Sequence, residues 1–412
     1  MPLGGPRSTR AVLAVHGAFA IAFALVVART LVDPRAIAQT DFTAFFSGWW
    51  LILHGRGAEL YDVVAQQTAQ HAIIGDHEFP SGLLAFLHPP HAALAGLPLG
   101  LVAERFGEPA AFRLWTTINF ALLARLARDL SRLLSLKTFD ERALIATALL
   151  GSFPVFLTLR EGQVAILLAL ALLGLATATE QGRPLVAAGW LLVLSLKPQL
   201  LPLPLALLVA RRQGRTLAYA AVFGALALLA SVAALGPAIF ARYLGGLEAL
   251  QGHLGRGVPG GMLCLRGLLV RLLGADGAPL ATRISFVALG AATLALGLAA
   301  RRRPDATVAP AADERLLFAA TFAAALFFSP HLFPADLTLW AVPLALAAAA
   351  LRDGGDAHAA NAFNVFALAW PLTIGATLAL GVWPRLFFEA ATGLCLVALI
   401  WISRLARRAS PH

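Results

Sequence analysis

The sequence is short of charge. Of 412 residues only 13% are Asp, Glu, Lys or Arg and 59% are apolar, whereas about a quarter of a soluble domain is charged, which excludes a water-soluble globular chain. Cysteine is almost absent as well. Cys264 and Cys395 stand alone without CxxC spacing, so neither a disulfide framework nor a metal site is expected. Period-2 alternation is also lacking. The apolar runs are rich in Leu and Ala and unbroken, and a backbone crossing lipid must pair its own polar groups, so they read as helices and not as barrel strands. The expected fold is all-α: a single polytopic transmembrane bundle over 1–412, with about 10–12 spanning helices plus re-entrant or interfacial ones.

What charge there is has an uneven distribution. The formal net charge is +10, but the basic residues sit in short clusters between apolar runs, a topology signal and not a nucleic-acid surface. Arg7/Arg10, Arg125/Arg128/Arg132/Lys137, Arg183, Arg211/Arg212/Arg215, Arg301/Arg302/Arg303, Arg352 and Arg404/Arg407/Arg408 read as cytoplasmic. Both termini are then cytoplasmic, in a multi-pass protein of the cell inner membrane. The first apolar run, 11–28, has 18 residues and precedes the cleavage-like Ala36-Ile37-Ala38 by too far for a signal peptide, so it reads as a retained first helix.

Further spanning segments are expected at 109–124, 144–159, 164–179, 217–235, 284–300, 316–328, 337–351, 363–381 and 386–402. Residues 86–103 read as re-entrant or interfacial, because a full crossing there would place the four-charge cluster after Ala124 on the wrong side. Residues 184–210 are flanked by Arg on both sides and should leave and return on one face, turning near Lys197-Pro198, each arm rising only about 20 Å. Two outside loops follow, 29–85, which carries Asp33, Asp41, Glu59, Asp62, Asp76 and Glu78, and 236–283, a glycine-rich stretch that suits a mobile flap. The helical core between them is 86–235, and 284–405 holds the C-terminal helices.

Ionisable groups near membrane depth are functional candidates because their desolvation has to be offset. Asp41, among aromatics just after the first helix, suits a general base or a helix N-cap, and local sequence by itself favours the cap. Tyr61-Asp62 opens an interfacial helix, Tyr61 packing at headgroup level and Asp62 capping. Arg160-Glu161-Gly162-Gln163 forms a tight outside turn in which Arg160 either grips a phosphate or pairs with Glu161. Lys197, alone in an apolar stretch, calls for an anionic partner. His331 in Ser329-Pro330-His331 suits a sugar hydroxyl, a phosphate or a structural turn.

These segments in this order, Asp41-Phe42, Leu60-Tyr61-Asp62, His88-Pro89-Pro90, Arg160-x-Gly162-Gln163, Ala188-Gly189 with Lys197-Pro198, and Ser329-Pro330-His331, resemble glycosyltransferase family 87 over roughly residues 11–351. The resemblance implies a type C glycosyltransferase fold and a mannosyltransferase using polyprenyl-phosphate-mannose as donor substrate, with no cofactor and no metal. It implies Asp41 as catalytic base, Arg160, Gln163 and Lys197 around the donor phosphate, and His331, Tyr61 and Asp62 toward sugar or acceptor. The implied partners are membrane lipids, the lipid-phosphate donor and a glycan or glycolipid acceptor. His88 departs from the pattern, where the family often has an aromatic before Pro-Pro. The competing reading is a multi-helix transporter or lipid flippase, since an intramembrane lysine and broken helices also mark transport paths.

Overall fold

The computed structural model describes residues 5–74, 83–253, 261–301, 311–353 and 385–408. The expected span at 363–381 lies outside them, as do Asp76, Glu78, Arg302 and Arg303. Among the described residues every regular element is a helix. They are α1 (Gly5–Val32), α2 (Pro34–Ala38), α3 (Phe42–Leu53), α4 (Val63–Ile74), α5 (Pro90–Phe106), α6 (Glu108–Leu133), α7 (Phe139–Leu150), α8 (Phe153–Glu161) and α9 (Ala165–Glu180). After them come α10 (Pro184–Leu194), α11 (Pro202–Ala210), α12 (Gly214–Leu235), α13 (Ile239–His253), α14 (Leu265–Leu273), α15 (Ala278–Arg301), α16 (Ala311–Phe328), α17 (Ala341–Asp353) and α18 (Arg385–Arg408).

Burial sorts these helices into hub and rim. α9 is apolar on every side up to its last turn and most of it is buried, as expected for a helix at the centre of a bundle. It packs on α6, α10, α16, α17 and the 3-10 turn Pro334–Trp340. At the rim, α12 and α15 turn Val222, Leu226, Leu229, Val287 and Leu294 outward, a lipid-facing surface. Among the described residues five helical stretches, Leu13–Val32, Gly214–Leu235, Ala275–Ala299, Pro334–Asp353 and Phe388–Ala406, are long and apolar enough to cross a membrane.

Other expected spans are broken or short. The run expected at 144–159 divides into α7 and α8 with a 56° bend, because Pro154 in the first turn of α8 has no N–H to continue the ladder. Residues 184–210 form α10 and α11, joined by a 3-10 turn at Pro198–Leu200. The arms lean on different neighbours, α10 on α9 and α12, α11 on α15 and α16. The stretch at 86–103 is non-helical up to Pro89 and then helical as α5: a residue before proline is pushed out of the helical region, and Pro90 occupies the first helical position. The glycine-rich 236–283 stretch carries two docked helices: Tyr243 of α13 packs on Tyr61, Arg242 donates to the Ala58 carbonyl, and Arg266 of α14 donates to the Pro330 carbonyl at 3.3 Å.

The bundle has two chemically different ends. At one end Arg315 holds Glu180 and Asp353 at 2.6 Å each, Arg352 reaches Ser135 at 2.9 Å, and Arg211 pairs with Glu314. The other end of α9 is set by Gln163, about 25 Å away at 1.5 Å per residue, and there α3, α8 and the turns around Lys197 and His331 converge. On that side α3 lies against α5 so closely that a Cβ on Gly96 would sit 2.4 Å from the Trp49 ring. Gly96→Leu is therefore expected to lower the unfolding midpoint in detergent, at a cost of about 1–3 kcal/mol; an unchanged midpoint would contradict this packing.

Candidate active site

A cavity of about 390 Å³ opens at the Gln163 end of the bundle. Its polar lining is Asp41, His88, Glu161, Gln163, Lys197 and Asp336, with Gln199 and His331, set among Phe45, Leu83, Leu87, Leu157 and Phe333. Residues from α3, α8, the α10–α11 turn and the segment after α16 thus meet in one space.

Asp41 is not the cap its sequence context favoured. It precedes α3 in a helical conformation, φ −60° and ψ −16°, and its carboxylate makes no capping hydrogen bond. Instead Gln163 Nε2 donates to Asp41 Oδ2 at 2.6 Å. Burial raises the Asp41 pKa, while the Gln163 hydrogen bond and the nearby Lys197 and Arg160 charges act in the opposite sense. Gln163 can turn toward Asp41 because Gly162 ends α8 in the left-handed region, φ +68°. A side chain at Gly162 would also strike Phe42, 2.9 Å from an added Cβ, and the Gly162 carbonyl accepts from Trp115 Nε1 at 2.8 Å.

Lys197 has found a protein partner. Its ammonium lies 2.5 Å from Asp336 Oδ1, with 11% and 3% of the two side chains exposed. The second oxygen of Asp336 accepts from the Phe333 N–H at 3.2 Å and so caps the 3-10 turn Pro334–Trp340. One of the three ammonium N–H bonds is committed to Asp336, which leaves further donors on Lys197 beside the cavity.

The remaining wall is a non-helical strip, residues 83–88, with no strand beside it among the described residues. Two buried glutamines of α4 take that role. Gln66 Oε1 accepts from the Phe86 N–H at 2.8 Å and its Nε2 donates to the Leu60 carbonyl at 2.7 Å. Gln70 Oε1 accepts from the Leu84 N–H at 3.2 Å, and its Nε2 donates to the Leu84 carbonyl. A side-chain amide offers donor and acceptor together, as a strand edge does.

The other expected site residues divide. His331 lines the cavity beside Phe333, ring centroids 4.6 Å apart, and burial with the Lys197 charge holds its pKa down at about 3. Arg160 does not line it: 46% of its side chain is exposed and it binds Glu161 at 2.7 Å, the pairing that the sequence offered as the alternative to phosphate binding. Tyr61 and Asp62 also stay outside the lining. Tyr61 Oη donates to the His88 carbonyl at 2.7 Å, and Asp62 caps α4, accepting from the Ala65 N–H at 2.8 Å. Glu161, Asp336 and Gln199 line the cavity without having been singled out. Asp336 could have been found from charge balance alone, as a carboxylate inside an apolar run matching the lone Lys197.

The ion pair makes a testable demand on stability. Lys197→Met leaves the Asp336 carboxylate buried and unpaired, a loss of about 3–5 kcal/mol. Adding Asp336→Asn, which keeps an oxygen for the Phe333 cap, is expected to recover most of the loss in detergent unfolding; no recovery would mean that the pair is not its source.

A search of curated proteins and a search of solved structures each found no match. Residues 86–334, which include Gln163, Lys197 and His331 and stop just short of Asp336, match the model of glycosyltransferase family 87. The apolar helices, the cavity at one end of the bundle and this match over most of the chain lead to one conclusion: the protein is a membrane glycosyltransferase and belongs to glycosyltransferase family 87.

Proposed function

We propose that the chain transfers mannose from polyprenyl-phosphate-mannose to a lipid-linked or glycan acceptor at the extracytoplasmic face of the cell inner membrane, its termini lying in the cytoplasm. The observation that carries this reading is a half-buried carboxylate, Asp41, uncommitted to any cap and sharing a 390 Å³ cavity with the nearly buried ammonium of Lys197. Family membership favours transfer over transport as the use of that cavity.

The chemistry is a single displacement with inversion at C1. The acceptor oxygen forms the new bond to C1 as its proton passes to an Asp41 carboxylate oxygen. The bond from C1 to the phosphate oxygen breaks, and its electron pair leaves with polyprenyl phosphate. Lys197 offsets the charge that grows there, and a monophosphate leaving group of this kind needs no general acid. No divalent cation takes part, because there is no diphosphate to bridge. Gln163 holds the Asp41 carboxylate in one orientation.

The basic cluster of Arg211, Arg315 and Arg352 lies at the end of the bundle opposite the cavity, and basic loops stay in the cytoplasm. That arrangement supports an extracytoplasmic cavity. Its apolar lining from Phe45, Leu83, Leu87 and Leu157 suits the first isoprene units of a lipid carrier.

The test is transfer of radiolabelled mannose from polyprenyl-phosphate-mannose to extracted acceptors by purified protein. Wild type is expected to transfer, in EDTA as well, and Asp41→Asn to lose about 100-fold or more in kcat/KM. Because Asp41 must be ionised to accept a proton and burial raises its pKa, kcat/KM should fall as the pH drops through a value above the ordinary carboxylate range. Full activity of Asp41→Asn would remove the base assignment, and no transfer from any lipid-phosphate sugar by folded protein would favour the transporter reading.

A further inference from the structure

His88 lines the cavity, and its hydrogen-bonding state is dictated by its partner. Its Nδ1 lies 3.0 Å from the Leu196 carbonyl oxygen. A carbonyl only accepts, so Nδ1 carries the proton, and in a neutral imidazole Nε2 is then a bare acceptor. Burial and the Lys197 charge keep the ring neutral, its pKa lowered to about 4.

The ring is held firmly. It stacks on Phe45 with centroids 4.8 Å apart, and the backbone carbonyl of His88 accepts from Tyr61 Oη at 2.7 Å. One turn on, His91 Nε2 is 2.9 Å from Ser195 Oγ, whose own proton goes to the Leu192 carbonyl at 2.6 Å. Two histidines therefore clasp successive residues of the turn that carries Lys197.

A lone-pair nitrogen cannot donate to a phosphate oxygen, and would repel it. It can accept from a hydroxyl. Building on the proposed function, we infer that His88 is a specificity-determining residue that accepts a hydrogen bond from a hydroxyl of the donor sugar through Nε2, beside the phosphate site at Lys197. The same ring fixes the turn that presents Lys197, so sugar recognition and phosphate placement share one anchor.

The test pairs His88→Phe with donors lacking one hydroxyl each: short-chain polyprenyl-phosphate-mannose and its 2-, 3-, 4- and 6-deoxy analogues. Wild type should lose about tenfold in kcat/KM at one position, and His88→Phe should lose no more than about twofold at that same position. Intrinsic reactivity differences cancel in the ratio. Since His88→Phe removes the Leu196 contact, wild-type protein labelled with ¹⁵N-histidine supplies a second readout. The His88 Nε2 signal should be that of an unprotonated nitrogen and should move on adding the mannosyl donor, but not polyprenyl phosphate alone.

An Nε2 that is protonated, or that responds equally to the sugar-free lipid phosphate, overturns the assignment. So does turnover in which His88→Phe discriminates every analogue as wild type does, a result that leaves the transferase reading intact. If no lipid-phosphate sugar is turned over or moves the signal, both readings fall together.

Discussion

An ion pair in an apolar bundle organises this molecule. Lys197 and Asp336 are far apart in sequence and nearly excluded from solvent, and neither charge is tolerable there without the other. Their pairing draws the α10–α11 turn onto the segment that follows α16. Because Asp336 also caps the 3-10 turn at Pro334–Trp340, one carboxylate fixes both the position of the ammonium and the start of α17. The cavity exists where these pieces meet α3 and α8.

The rest of the site repeats the same rule, that a polar group withdrawn from water must be given a partner. Gln163 answers Asp41, Gln66 answers the buried Phe86 N–H of the non-helical strip, and His88 answers the Leu196 carbonyl. Left over after those pairings are a carboxylate oxygen of Asp41, donors on Lys197, the Nε2 of His88, the His331 ring and the Gln199 amide. These remainders, and not the helices that carry them, give the cavity its polar character. The opposite end of the bundle leaves little over, since Arg315 spends its guanidinium on Glu180 and Asp353.

Fold class could be read directly from composition, because a chain with so little charge and unbroken Leu/Ala runs has few other options. Helix continuity could not. Pro154 splits a run that hydropathy reads as one span, and Pro89-Pro90 delays a helix that apolar residues alone would start earlier. Within the site, Lys197 and Asp41 stood out as charges in apolar surroundings, whereas the preference for a cap at Asp41 came from local sequence and was overridden by Gln163, 122 positions away. Asp62 followed the local rule, its carboxylate accepting from the Ala65 N–H. Arg160 turned to its neighbour Glu161, a choice between two local partners that residue types alone do not decide. Long-range pairings such as Lys197 with Asp336 or His88 with Leu196 have no local signature, and they are what define the cavity.

The central claim is that one lipid-phosphate sugar spans this cavity with its phosphate at Lys197 and its C1 facing Asp41. The most direct measurement is an experimental structure of the Asp41→Asn protein in lipid nanodiscs with polyprenyl-phosphate-mannose. The account predicts a phosphate oxygen within hydrogen-bond distance of Lys197 Nζ, the sugar between His88 and residue 41, and the lipid chain leaving past Phe45 and Leu83. A donor phosphate bound at the Arg315 end of the bundle, or a cavity holding acceptor lipid with no phosphate at Lys197, would contradict it.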